Sequence, residues 1–303
     1  MKLIAIVGPT ASGKTSLAIG LAERLRGKLG FEAVNADSRQ VYRHMDIGTA
    51  KPTADEQAAL PHHLIDVVYP DEPFGLATWL EMANEALESA WGRGHVPVLV
   101  GGTGQYAWAL LEGWRVPSVP PQEDFRRELE GRAPEELLAE LREIDPESGA
   151  YIQPRNVRRV IRALEVYHAT GKPFSHWRSK DPPQFGWLAL GVRLTREALY
   201  ERIDSRVDAM TEAGFLDEVR RLREMGYGCD LPAMSGIGYA EFCRHLDGEM
   251  TLEEAVERTK TGTHRLARHQ NAWFKASDER IRWVEPGDDE EAARLVEAFL
   301  AGE

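Results

Sequence analysis

Lys2-Leu3-Ile4-Ala5-Ile6-Val7-Gly8-Pro9-Thr10-Ala11-Ser12-Gly13-Lys14-Thr15 is the stretch on which the architecture turns. Residues 2–7 form a short apolar run closed by Gly8-Pro9, the mark of a buried strand. Residues 16–25 carry a helical pattern. Between them, residues 8–15 match G-x-x-x-x-G-K-[ST] in the strand-to-helix setting that gives the motif meaning. Glycines let the backbone wrap close to a phosphate. Successive N–H groups and the helix N-terminus supply positive potential, Lys14 adds a mobile cation, and the Thr15 hydroxyl can hold Mg²⁺.

Further apolar runs at residues 31–36, 64–68, 96–100, 187–192 and 281–284 read as strands, with a helical pattern over 76–91. Strands alternating with helices predict an α/β fold with a P-loop NTPase-like parallel sheet as its core. The alternation stops near Gly113 and resumes near Trp187, with Pro117, Pro120, Pro121 and Pro182-Pro183 at the two borders. Val157, Val160, Ile161 and Leu164 follow helical spacing between these borders. The organisation expected is therefore a core of residues 1–112 and 187–303 with an all-helical insertion over 113–186. Thr195 is placed to cap a following helix, and Thr251-Leu252-Glu253-Glu254 reads as a capping box opening a helix toward Ser277.

The chain has 303 residues and a formal net charge of −12. No apolar run approaches membrane-spanning length, so no membrane partner is expected. Cys229 and Cys243 are too few and too far apart for a zinc or redox motif, and a reducing, cytoplasmic setting is the expectation. An acidic total argues against nucleic acid. Local stretches argue the other way. Arg155, Arg158, Arg159 and Arg162 fall in a segment without acids, on the side of the helix away from its apolar stripe. Arg258, Lys260, Arg265, Arg268 and Lys275 lie in a second acid-free segment, and Arg126 and Arg127 add to the insertion. Such faces can track a phosphate backbone, although a solvated helix face explains them equally well.

The phosphate loop does not by itself choose a reaction. A P-loop kinase carries an acid at the end of a neighbouring strand to hold its metal. Here residues 96–100 run into Gly101-Gly102-Thr103-Gly104 instead. The acid in a strand-end position is Asp37, after residues 31–36, where the ligand crevice of such a sheet lies. Arg206 borders the apolar stripe Leu199, Ile203, Val207 and Met210 on its helix. That position predicts partial burial and a need for an anion. His62-His63 invites a metal reading, but neighbours on a strand point to opposite faces.

Taken in order, several segments resemble the tRNA dimethylallyltransferase (tRNA isopentenyltransferase) family. They are the phosphate loop, Asp37-Ser38-Arg39-Gln40-Val41-Tyr42, Met45-Asp46-Ile47-Gly48-Thr49-Ala50-Lys51-Pro52, Pro61-His62-His63-Leu64-Ile65-Asp66-Val67, Val100-Gly101-Gly102-Thr103-Gly104, Arg162-Ala163-Leu164-Glu165-Val166, Ile237-Gly238-Tyr239 and Arg268-His269-Gln270-Asn271-Ala272-Trp273-Phe274. Gln105, His269 and Asn271 depart from the family's commoner residues. The resemblance implies transfer of a dimethylallyl group from dimethylallyl diphosphate to the exocyclic N6 of the adenine 3′ to the anticodon, assisted by Mg²⁺, with a P-loop kinase of a small metabolite as the alternative. It further implies that Gly8, Pro9, Thr10, Ala11, Ser12, Gly13, Lys14 and Thr15 hold the diphosphate. Asp37 accepts the amine proton, Thr103 orients the reacting groups, and Arg206 meets the diphosphate. By the same resemblance, tRNA contacts fall to Asp37, Ser38, Arg39, Gln40, Thr103, Arg126, Arg158, Arg159, Val160, Ile161, Arg162, Gly238, Tyr239, Arg268, Gln270 and Trp273. A monomer is expected.

Overall fold

The computed structural model describes residues 1–302. In chain order the first elements are β1 (Lys2–Val7), α1 (Lys14–Arg24), β2 (Gly30–Asn35), α2 (Ala54–Ala59), β3 (His62–His63), α3 (Leu76–Gly92), β4 (His95–Gly101) and α4 (Gly104–Leu111). Helices α5 (Glu123–Glu130), α6 (Pro134–Ile144), α7 (Pro146–Tyr151) and α8 (Val157–Thr170) come next. The chain finishes with β5 (Gly186–Val192), α9 (Arg196–Glu212), α10 (Phe215–Glu224), α11 (Tyr239–Leu246), α12 (Leu252–Trp273), β6 (Ile281–Val284) and α13 (Asp289–Ala301).

The six strands form one parallel sheet in the order β3-β2-β4-β1-β5-β6. Residues of β1 are buried on both sides, which is why the strand is a continuous apolar run rather than an alternating one. On one face Ile4, Ile6, Val98 and Leu190 pack with Leu17 and Leu21 of α1 and Val296 of α13. A parallel sheet sends all its carboxyl ends to one edge. The phosphate loop after β1, Asp37 after β2 and Thr103 after β4 therefore share that edge.

Two compact units divide the chain. One comprises Met1–Phe74, Trp79–Ala107 and Gln184–Glu303, and the other Gly75–Thr78 and Trp108–Pro183. The second is all-helical apart from one isolated bridge between Trp114 and Lys180. Its core is Leu137, Leu138 and Leu141 of α6 against Val160, Ile161 and Leu164 of α8.

Residues 64–68 are not the strand that their apolar character predicts. Pairing stops at His63, and Val68 makes only a single bridge to Tyr42. Leu64 and Asp66 take positive φ values of 62° and 56°, which break an extended run. The Leu64 carbonyl accepts from Asn35 Nδ2, and the Asp66 carboxylate engages Lys51. Side-chain anchoring thus overrides strand propensity here. Helix α12 stops at Trp273, short of Ser277, and its Thr251–Glu254 capping box is present. Cys229 and Cys243 also depart from expectation. They are joined in a disulfide with Cα atoms 6.0 Å apart. Folding brings together what thirteen intervening positions kept apart in the sequence.

Candidate active site

The phosphate loop is built as its residue types demand. Gly8 has φ +145°, and a Cβ there would lie 3.3 Å from Ser12 Oγ and 3.4 Å from the Val192 carbonyl. Only glycine lets the loop turn so close to β5. Ala11 adopts φ +62°, so the loop folds back under its own helix. The Thr10 N–H donates to Gln270 Oε1 at 2.7 Å, and Lys14 Nζ donates to the Pro9 carbonyl at 2.7 Å.

A cleft of about 730 Å³ opens above this loop. Lys14, Thr15, Asp37, Gln40 and Arg206 all line it. Burial pushes the Lys14 ammonium down to about 8. Asp37 works against that fall, and Arg206 adds to it. Arg206 is held below its ordinary value mainly by desolvation, with Glu56 opposing and Arg202 reinforcing. The residue as a whole is exposed on the cleft wall, while its charged end is desolvated. No salt bridge neutralises Lys14 or Arg206 among the described residues. Two cations crowded together without a salt bridge form a ready anion site.

Asp37 is fixed by Asn35, whose Oδ1 accepts from the Asp37 N–H at 3.0 Å and whose Nδ2 donates to the Asp37 carbonyl at 3.2 Å. One carboxylate oxygen of Asp37 accepts from the Arg39 N–H at 2.8 Å. The Thr103 hydroxyl accepts from the Ser38 N–H at 3.1 Å, so β2 and β4 meet beside Asp37. The rest of the lining mixes apolar side chains with polar ones, among them Asp46, Thr49, Lys51 and Glu56. Its apolar part is Ile47, Ala50 and Pro52 from one loop, Ala209 and Met210 from α9, and Ala213 at the end of that helix. The last three stand at i+3, i+4 and i+7 from Arg206, on the face that carries the guanidinium.

The remaining candidates are dispersed. Gln270 is buried and clamps the phosphate loop. The Trp273 ring lies against Gly104, where a Cβ would come within 2.3 Å of it, while part of the ring stays exposed. Arg268 donates to the Tyr200 hydroxyl at 2.8 Å. Arg39 donates to the Pro232 and Ala233 carbonyls at 2.9 and 3.1 Å. Tyr239 is buried, its hydroxyl on Glu218, and the Gly238 N–H donates to Glu241. In the helical unit, Val160 and Ile161 are core residues whose side chains offer no surface to RNA.

Arg126 and Arg162 are not free cations. Both bind the fully buried Glu165, with Arg126 Nε at 2.7 Å. Arg162 therefore borders the apolar stripe instead of opposing it. Arg158 and Arg159 stay exposed. His62 lines the cleft while His63 turns away to Glu32, and no cluster of three His, Cys, Asp or Glu side chains that could hold a metal exists among the described residues. No helix among the described residues is long and apolar enough to cross a membrane.

Asn35, Lys51 and Glu218 escaped sequence reasoning. No motif marks Asn35 or Glu218, and Lys51 sits inside the quoted 45–52 run without a role of its own.

A parallel sheet with this loop, and a carboxylate and cations at one strand edge, define a P-loop protein that binds a phosphorylated ligand. Residues 40–277 match the IPP transferase family model and residues 1–66 the isopentenyl transferase model. The chain is similar to a tRNA dimethylallyltransferase of Roseiflexus sp. (56% identity, 98% of each chain) and to one of Dehalococcoides mccartyi (45% identity, 99% of this chain and 93% of the relative). Among solved structures it is similar to a tRNA isopentenylpyrophosphate transferase of Bacillus halodurans (TM-score 0.70, 40% identity, 99% and 96% coverage). A eukaryotic dimethylallyltransferase acting on tRNA superposes with a TM-score of 0.83 at 29% identity, covering 100% of this chain and 80% of that one. The chain belongs to the tRNA dimethylallyltransferase family and is a prenyltransferase.

Proposed function

We propose that the protein transfers a dimethylallyl group from dimethylallyl diphosphate to the exocyclic N6 of the adenine 3′ to the anticodon in tRNA, releasing diphosphate. The observation that carries this reading is the amphipathic cleft. Lys14, Arg206 and Asp37 line it together, and the apolar Ala209, Met210 and Ala213 follow Arg206 along its helix face. That lining suits a diphosphate ester of a small hydrocarbon.

In the transfer the allylic C–O bond breaks with positive charge on carbon and negative charge on the departing diphosphate. Lys14, Arg206 and the loop N–H groups stabilise the latter. The adenine N6 forms the new C–N bond, and Asp37 takes the proton that the amine sheds. Thr103 steadies the segment carrying Asp37. Mg²⁺ fits as a cofactor held by Thr15 and the diphosphate itself, because Mg²⁺ keeps several waters and needs few protein ligands. It would supply further charge neutralisation on the leaving group. An anticodon-loop base reaches such a site by flipping out, at a few kcal/mol. Exposed Arg158 and Arg159 suit phosphate contact, as does Arg268. A tRNA acceptor accords with action in the cytoplasm. The protein acts as a monomer in this reading. A metabolite kinase is not favoured, since Gly101-Gly102-Thr103 replaces the strand-end acid.

The test is incubation with dimethylallyl diphosphate, Mg²⁺ and unmodified tRNA, followed by nucleoside mass analysis, with ATP as the rival donor. A gain of one dimethylallyl group on adenosine is the expected result. Phosphoryl transfer from ATP with no prenylated nucleoside would overturn the reading.

A further inference from the structure

One wall of the cleft, residues 46–52, has little secondary structure to hold it. Ala50 sits at φ +50°. What holds the loop is a buried carboxylate. Glu218 on α10 is 1% exposed, and it accepts from the backbone N–H groups of Asp46 at 2.9 Å, Ile47 at 2.7 Å and Gly48 at 3.1 Å. Its fourth donor is the Tyr239 hydroxyl at 2.6 Å. Burial and the adjoining carboxylate push the Tyr239 phenol well above its ordinary value, so it remains a donor. A Cβ on Gly48 would fall 2.2 Å from the Phe215 ring and 2.7 Å from the Tyr239 ring. The loop backbone therefore lies flush on the two aromatic rings. On its other side Gln40 Nε2 donates to the Thr49 and Ala50 carbonyls at 3.2 and 3.0 Å. Lys51 binds the Tyr42 carbonyl, Asp46 and Asp66.

We propose that Glu218 is a positioning residue for donor selection: it fixes Ile47, Ala50 and Pro52 as the wall on which the hydrocarbon of the prenyl diphosphate lies, opposite Ala209, Met210 and Ala213. The inference rests on the prenyl-donor reading above. Glu218 touches neither the phosphate loop nor Arg206. Its loss therefore weakens recognition of the hydrocarbon and leaves recognition of the diphosphate intact. A general structural role would weaken both.

The experiment compares wild type with Glu218→Gln, which keeps the size of the side chain but sets an amide donor against an N–H donor, and with Ile47→Ala, which trims the wall itself. For each, KM for dimethylallyl diphosphate and kcat are measured at saturating tRNA, and inorganic pyrophosphate binding is measured by calorimetry. Glu218→Gln should raise the donor KM by about tenfold, leave kcat within about threefold and leave pyrophosphate affinity unchanged. An unchanged donor KM overturns the inference, as does a parallel loss of pyrophosphate affinity. If Glu218→Gln fails to fold, Ile47→Ala carries the test, and the same split is expected. Equal effects on donor and pyrophosphate would again overturn it. Wild type without turnover on this donor overturns the donor assignment first. Wild type with turnover and unaltered variants overturns this inference alone.

Discussion

Strand β2 has a charged cluster near its start and another beyond its end, and they are built in opposite ways. Near the start, Glu32 is buried and fully partnered. Arg93 Nε donates to it at 2.8 Å, and His63 and His95 sit at 2.6 Å. The Arg93 hydrogen bonds, aided by the two histidines against the cost of burial, hold the carboxyl down at about 2. Beyond the end, Lys14 and Arg206 face the cleft with no salt bridge among the described residues, and burial holds Lys14 down at about 8. Both values are lowered, but the meanings are opposite. A lowered acid is a charge the fold stabilises, whereas a lowered base is a charge the fold makes uncomfortable. The first arrangement contributes stability. The second sacrifices some and is relieved when an anion arrives, which is how a binding site is told from a structural ion pair.

The contrast breaks most visibly at Asp37. Asp37→Ala should reduce turnover by roughly 10²–10⁴-fold, the usual range for a general base, while tRNA affinity measured by filter binding stays near wild type. Turnover close to wild type would remove Asp37 as the proton acceptor. Lys14 should give the next largest effect, and it depends on pH. Protonated Lys14 binds the donor, so affinity is flat below about pH 8. Above it, affinity falls by up to about tenfold per pH unit. Titration calorimetry between neutral and alkaline pH checks this, and Lys14→Arg should flatten the profile. A wild-type profile without a break near that pH would show that Lys14 is not the cation being titrated.

Glu32 supplies the counterpart. A carboxyl lowered from 4.5 to about 2 contributes stability that is fully present above the unfolded value and lost as pH falls toward the folded one. Glu32→Gln should thus cost about 2–3 kcal/mol at neutral pH and leave kcat unchanged. The gap to wild type in urea midpoint should close as pH drops from about 4.5 toward about 2. A gap that persisted in acid would mean that packing, not charge, is lost.

How legible these regions were in the sequence follows from how local their signals are. The phosphate loop, β1 and the capping box at Thr251 are contiguous patterns with one physical reading, and the parallel order follows from strand–helix alternation. Asp37 was legible because a strand end fixes its edge of the sheet. Residues 64–68 were misread because apolar character cannot reveal that Lys51, distant in sequence, anchors Asp66. Glu218 and Asn35 carried no signal, since their partners are backbone N–H and C=O groups, and any sequence has those. Periodicity put Arg162 on the solvent side of α8 because it counts turns within one helix and does not see Gln122 and Arg126 converging on Glu165.

That last case extends the contrast to the helical unit and gives the smallest expected effect. The Glu165 side chain is fully buried, and burial alone would raise its carboxyl. Hydrogen bonds from Arg126, the Gln122 N–H and Arg162 outweigh burial and bring it below its ordinary value. Arg126 and Arg162 therefore share one carboxylate and keep one net positive charge between them, so they release fewer counterions when RNA arrives. Arg158 is exposed on the same helix and is free to meet a phosphate. Arg158→Ala should reduce the slope of log tRNA affinity against log salt by about one and leave the thermal midpoint in place. Arg126→Ala should do the reverse, lowering the midpoint because it takes one of two cations from a buried carboxylate while hardly altering the slope. If the two variants changed the slope equally, the partnered arginine would be meeting phosphate as well, and burial of its carboxylate partner would not separate structural from binding arginines in this unit.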